Sequence, residues 1–261
     1  MTSRERAVSF LRATHPRAVD QVESFPWGAL YVTPTLPRIW DANFAVVERW
    51  DAGVADLLRE LERAQGGAGF AHRRTVVVDE ELAGRLWPEI GARGDGYSSR
   101  YLLMEHARPP DRPADTSIEV LGLGDVDWAL GRQALMAGEY DDDLDTIRQL
   151  VELDRRLTGA MNVRHLGAFV DGDIAAYAAL YLEDGVAQVE DVATLPAYRG
   201  RGLARGVVLH AVAEARRNGA ELVFLVTAEA DWPKHLYMRL GFDSIGVEHV
   251  FGRPPRDDSD L

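Results

Sequence analysis

The sequence predicts an α/β (α+β) chain in two parts. Three observations predict it: length, alternating strand-like and helix-like patterns, and a Pro/Asp/Arg-rich break near the middle. The 261 residues exceed a typical single domain, and either half is long enough for its own core. Residues 108–117, RPPDRPADTS, lack apolar periodicity and read as a linker between domains 1–112 and 113–261. A similar stretch, RPPRDDSDL, closes the chain from Arg253 and is expected to fray.

In the C-terminal half, residues 118–121 read as a short strand. Residues 126–137 and 145–157 read as helices, the second with Leu144, Ile147, Leu150, Val151 and Leu157 near the 3.6-residue period. Strands are expected at 165–170 and 175–182, joined by the hairpin dipeptide Asp171-Gly172. Glu183-Asp184-Gly185 marks another turn before a strand at 186–193. A helix over 203–218 carries an apolar stripe of Leu203, Val207, Val208, Ala211, Val212 and Ala215, with Gly219 at its C-cap. A buried strand at 222–227, a short helix at 233–240 opened by Pro233, and a strand at 244–251 complete the half.

The N-terminal half echoes this order. Strands at 42–47, 75–79 and 99–105 alternate with helices at 54–64 and 81–90. Gly53 aligns with Gly202, and LWPEIG from Leu86 aligns with LYMRLG from Leu236, in registers that agree within one residue. This agreement points to a duplicated unit.

Composition narrows the chemistry. The formal charge of −13 disfavours nucleic acid and anionic membranes as partners and tolerates a cationic amine substrate. The absence of cysteine excludes disulfides, thiolate zinc sites and cysteine nucleophiles. No apolar signal segment and no run of 18 apolar residues is visible, so a cytoplasmic protein without membrane spans is expected.

The most informative stretch is EDVATLPAYRGRGLAR, from Glu190 to Arg205. Pro196 ends a strand, Gly200 and Gly202 permit a tight turn, and a helix follows at once. Its first backbone N–H groups have no intrahelical acceptor, which suits a phosphate. Arginines 199, 201, 205, 216 and 217 against Glu214 alone give a local charge of +4. A P-loop is excluded because no Gly-Lys-Ser/Thr follows. A Rossmann turn is excluded because no third glycine follows at the required spacing.

The stretch resembles the acetyl-CoA signature of the GNAT superfamily of N-acetyltransferases, Arg/Gln-x-x-Gly-x-Gly/Ala, filled here by Arg199, Gly202 and Ala204. Tyr237-Met-Arg-Leu-Gly-Phe242 resembles a second family element, Tyr-x-x-Leu-Gly-Phe. The resemblance covers about residues 118–252. It implies a GNAT-like mixed, mostly antiparallel sheet flanked by helices, here duplicated in tandem. Residues 113–261 would form the catalytic domain, and 1–112 a degenerate, non-catalytic one. Acetyl-CoA is the implied co-substrate, with no metal.

By the same resemblance, Val192, Ala193 and Thr194 line the pantetheine arm. Gly200, Arg201, Gly202, Leu203, Ala204 and Arg205 cradle the pyrophosphate together with Arg199. A backbone N–H near Val192 or Ala193 would polarise the thioester carbonyl. Tyr237 matches the proton donor to the leaving thiolate. Glu190 and Asp191 are adjacent acids in an apolar strand and point to opposite faces, so one is expected to enter the cleft as a base. Glu190 is the first choice, and a water chain is the alternative. Ala230 occupies a position that is asparagine in many relatives, and its neighbour Asp231 is the substitute cofactor contact. His235 reads as a surface or packing histidine rather than a base. In the N-terminal half an acid, Asp51, lies where a phosphate would sit, and Trp87 replaces the tyrosine.

The function expected is acetyl transfer to a small-molecule amine or an N-terminal amine by direct attack on the thioester. The alternative is a non-catalytic acetyl-CoA-binding regulatory or scaffolding protein. Transfer of a longer acyl group is a third option, since Ala193 and Thr194 are small.

Overall fold

The computed structural model describes residues 1–93, 96–137 and 143–255, without the side chains of 125–127. The chain forms two compact units. One comprises residues 1–11, 103–227 and 231–245, and the other residues 12–102, 228–230 and 246–261. Neither unit is a continuous stretch, so the units do not follow a single cut at 112/113. Two strands, β5 (Tyr97–His106) and β11 (Phe242–Arg253), each begin in one unit and end in the other.

The unit built around residues 12–102 opens with a hairpin of β1 (Gln21–Phe25) and β2 (Gly28–Val32). Strand β3 (Phe44–Val47) runs antiparallel to β2 and parallel to β4 (Arg73–Val77). The parallel step needs a crossover, supplied by helix α2 (Val54–Gly67). Helix α3 (Glu80–Arg93) then leads to β5. Strand β11 completes this unit: His249 to Arg253 pair antiparallel with Val77 to Arg73 of β4. Its core gathers Trp27, Leu30, Val47, Leu57, Leu61, Leu82, Leu86 and Phe251.

The other unit contains β6 (Val120–Gly122), β7 (Asn162–Val170), β8 (Asp173–Glu183) and β9 (Val186–Thr194), all paired antiparallel in turn. Both hairpin turns place two residues at positive φ, Asp171 with Gly172 and Asp184 with Gly185, as two-residue turns matched to strand twist require. Helix α6 (Leu203–Arg217) carries the chain from β9 to the parallel β10 (Leu222–Ala228). Helix α7 (Pro233–Arg239) precedes β11, and helices α4 (Asp125–Ala137) and α5 (Leu144–Ala160) lie between β6 and β7 in sequence. Asp143 caps α5 by accepting from the amides of Asp145 and Thr146. The neighbour of β10 on the side away from β9 is β5, contributed by the N-terminal half of the sequence.

The fold is thus a mixed, largely antiparallel sheet architecture flanked by helices, as the sequence implies. Helix α1 (Ser3–Ala18), β1 and β2 were not expected. Residues 108–117 differ from the expected linker. They are irregular but lie inside one unit, where Arg108 pairs with Asp243 at 2.7 Å and Asp111 with Arg205 at 2.8 Å. The tail expected to fray lies, from residue 256, outside the described residues. No helix among the described residues is long and apolar enough to cross a membrane.

Candidate functional site

Strands β9 and β10 pair only from Val186 to Gln188, opposite Leu222 to Phe224. Both strands continue, but the ladder between them stops. Burial follows: Val186 to Val189 are buried, whereas Glu190 to Leu195 are half-buried. The divergence leaves backbone donors and acceptors of β9 without a strand partner on that side, which is where an extended ligand can bind. Thr194 Oγ1 is buried there with no hydrogen-bond partner among the described residues. Val192, Ala193 and Thr194 lie along this opened part of β9.

A bulge reshapes β9 just before this stretch. Tyr177 faces Ala193 and Ala179 faces Glu190, so Asp191 and Val192 together face the one residue Ala178. Asp191 takes a left-handed φ of 55°, which breaks strict alternation at that point. The two acids part company. Glu190 accepts a hydrogen bond from Gln188 Nε2. Asp191 makes an ion pair with Arg132 of α4.

Arg132 belongs to a buried polar cluster that sequence reasoning missed. Its Nε donates to Asp154 of α5 at 3.0 Å, and its guanidinium lies 5.7 Å from the centre of the Tyr177 ring. Arg132 and Asp154 are both nearly inaccessible. Burial, then the nearby Asp191 charge, push Asp154 up, against the pull of Arg132. Thr158 spends its one proton on the Asp154 carbonyl, at 2.8 Å, so His165 Nε2 donates to it at 2.9 Å. His165 Nδ1 is then left to accept from the Tyr177 hydroxyl. Trp128 stacks on His165 at 4.2 Å. The available signal was position: Asp154 lies on the Ile147–Leu157 face of α5, and Arg132 lies one turn after Trp128.

After β9, a short 3-10 turn over Pro196–Tyr198 leads to Arg199, whose Nε donates to the Thr194 carbonyl at 3.1 Å. Gly200 and Gly202 have φ of 76° and 83°, values that L side chains adopt at a cost. Gly202 is the N-cap of α6 and offers no side-chain cap, and the helix's first backbone bond runs from Gly206 to Gly202 at 3.0 Å. The amides of Leu203, Ala204 and Arg205 in the first turn thus have no intrahelical acceptor. A Cβ placed on Gly200 would meet nothing within 4 Å, so the approach is open. Arg199 and Arg201 are exposed beside it, with the Arg201 guanidinium 5.2 Å from the Tyr198 ring. The side chain of Arg205 is engaged elsewhere, by Asp111 and by the Arg112 carbonyl at 2.9 Å. Arg216 and Arg217 are also committed, to backbone carbonyls and to Glu214. The positive charge at the turn is therefore narrower than the sequence count suggests.

Tyr237 of α7 is buried, edge-on to Phe242 at 6.1 Å. Burial, and then the charge of Glu190, push its phenol well above the ordinary range, so it holds its proton. Gly241, in the same motif, has φ of 99°, and a Cβ there would lie 2.0 Å from the Arg108 carbonyl. That close approach explains the glycine. Asp231 and His235 are exposed near the start of α7. Among the described residues no group of three His, Asp or Glu is placed to hold a metal ion.

Residues 132–242 match the Acetyltransferase (GNAT) family. Streptothricin acetyltransferase of Streptomyces lavendulae is 33% identical over 81 residues, 30% of this chain and 43% of that protein. The match therefore spans less than half of that relative. A GCN5-related N-acetyltransferase from Kribbella flavida superposes with a TM-score of 0.66 at 17% identity, covering 98% of this chain and 97% of the other. A functionally unknown conserved protein from Staphylococcus epidermidis superposes with a TM-score of 0.69 at 14% identity, over 91% and 95% of the two chains. At such identities these structures speak to fold alone. The stretch 132–242, which carries the diverging strands, the glycine turn and Tyr237, is the part of the chain that matches the GNAT family.

Proposed function

We propose that the chain is an acetyl-CoA-dependent N-acetyltransferase in which an amine attacks the thioester directly. The observation that carries this reading is the opening of β9 from β10, followed at once by the uncapped N-terminus of α6. The first-turn amides of Leu203, Ala204 and Arg205, with Gly200, Arg201, Gly202 and Arg199, would hold the pyrophosphate. Val192, Ala193 and Thr194 would hold the pantetheine arm by backbone hydrogen bonds. A β9 amide near Val192, set by the Asp191 bulge, would polarise the carbonyl oxygen. Glu190 would take the proton of the attacking amine. Tyr237 would give its proton to the leaving sulfur. Asp191 is a weaker candidate base than Glu190, because Arg132 already engages it. Asp231, exposed at the bend before α7, would contact the cofactor only at its edge.

The acceptor is an amine, free or N-terminal. The two units descend from one duplicated element. In support, α2 and α6 each cross between parallel strands and each is N-capped by a glycine, Gly53 or Gly202, without a side-chain cap. The N-terminal copy is non-catalytic: Gly53 has an ordinary φ of −70°, and Trp87 contacts His249 at 4.7 Å in place of a tyrosine acid. The deciding experiment is thiol release from acetyl-CoA over a panel of amines, with cofactor affinity measured in parallel. Turnover on any amine supports the enzyme. Tight acetyl-CoA binding with no turnover points to the regulatory reading, and no binding rejects both.

A further inference from the structure

We propose that the unit containing residues 12–102 has a ligand site of its own, for a small monocarboxylate with an apolar body about the size of one ring. A cavity of about 180 Å³ lies among α2, α3, β4, β5 and β11. Leu58, Leu61, Ile90 and Phe251 form its apolar wall. A dry cavity of roughly 150 Å³ lined by such residues accepts a benzene ring, so this one has room for a ring or a short aliphatic chain.

The charged groups at the cavity identify the other end of the ligand. Among the described residues, Arg73, Arg93 and Arg253 line it with a single acid, Glu62. Both oxygens of Glu62 are already used. Oε1 accepts from Arg73 at 2.7 Å, and Oε2 accepts from Arg73 at 3.1 Å and from Arg253 at 2.7 Å. Arg73 is further satisfied by the carbonyls of Phe70 and His72. Arg253 is not: its Nε is buried with no hydrogen-bond partner among the described residues. Two guanidiniums therefore share one carboxylate, and a third lies beside them. A second carboxylate would supply the missing acceptor and offset the excess positive charge. The apolar wall disfavours a phosphate, whose second charge would be costly to desolvate there. The residues are separate from those of the acetyl-transfer site, so the inference stands whether or not the chain turns over acetyl-CoA.

The test is a titration of the full chain, by calorimetry and ligand-observed NMR, with phenylacetate, hexanoate and benzylamine. Phenylacetate and hexanoate should bind saturably, with benzylamine at least about tenfold weaker. Arg253→Gln should weaken both acids by about tenfold or more, and Ile90→Trp should abolish their binding by filling the wall. Far-UV circular dichroism checks that each variant is folded, and Arg93→Gln serves if Arg253→Gln is not. Absence of saturable acid binding up to about 10 mM would overturn the proposal. So would equal binding of benzylamine, or folded variants that bind as the parent does.

Discussion

Tyr237 is positioned to hold a proton through the neutral range, since burial and the Glu190 charge both oppose the phenolate. Tyr237→Phe keeps the ring against Phe242 and removes only the hydroxyl. Its kcat should fall by about 10²-fold while acetyl-CoA affinity holds, the pattern of a group acting in the transition state. Normal turnover would return Tyr237 to a packing role. His15, with ring neighbours Tyr31 at 5.8 Å and Phe44 at 5.1 Å, carries a second prediction. Burial lowers its pKa to about 4. Between the ordinary value near 6.5 and about 4, the unfolded chain binds the proton and the folded one does not, so stability falls as pH falls through that window. The loss should reach about 1–2 kcal/mol, below the full shift because the imidazole is only partly enclosed. Urea titrations at pH 7.5 and pH 5 should show it, and His15→Phe should lack that part of the drop. Single residues were legible where a motif held them. Arg132 and Asp154 were not, because a lone charge on an apolar helix face reads as noise until its partner on another helix is known.

At the scale of elements, the turn from β9 into α6 carries the strongest expectation. Gly202 combines a left-handed φ with the N-cap role, two residues after Gly200, where the approach is open. Gly202→Asp would add backbone strain and place a negative charge at the positive end of the helix where an anion should dock. Calorimetry should show acetyl-CoA affinity reduced by tenfold or more, about 1.4 kcal/mol, with the circular dichroism spectrum unchanged. Unchanged affinity would remove the phosphate role from this turn. The strands and helices from residue 42 onward were legible because turn chemistry and periodicity agree, as at Asp171-Gly172 and Asp184-Gly185. Helix α1 was missed although its capping box is in the sequence: Thr2 and Glu5 exchange side-chain and backbone hydrogen bonds at 2.7 and 3.2 Å. The hairpin of β1 and β2 was missed because β1 is largely exposed and has no apolar alternation to read.

For the whole molecule, the way the chain closes its two units sets what can be cut. A linear reading divides the sequence at a Pro-rich stretch, but strand pairing is blind to sequence distance, and composition cannot reveal it. The unit that holds β9, α6 and Tyr237 draws on residues 1–11, where Ala7 and Phe10 are buried and Phe10 sits edge-on to Phe224 at 5.6 Å. It also draws on the end of β5 as the neighbour of β10. A fragment of residues 113–261 lacks both. A fragment of residues 1–112 lacks β11, and with it the strand paired to β4 and the core residue Phe251. Losing one buried phenylalanine alone costs about 3–5 kcal/mol, a large part of the roughly 5–15 kcal/mol that holds a typical protein folded. Each fragment expressed alone should therefore fail to give a cooperative unfolding transition, whereas the two co-expressed should assemble and recover cofactor binding. A cooperatively folded 113–261 fragment that binds acetyl-CoA with parental affinity would show that the exchanged strands are dispensable, and that the linear division was the physical one.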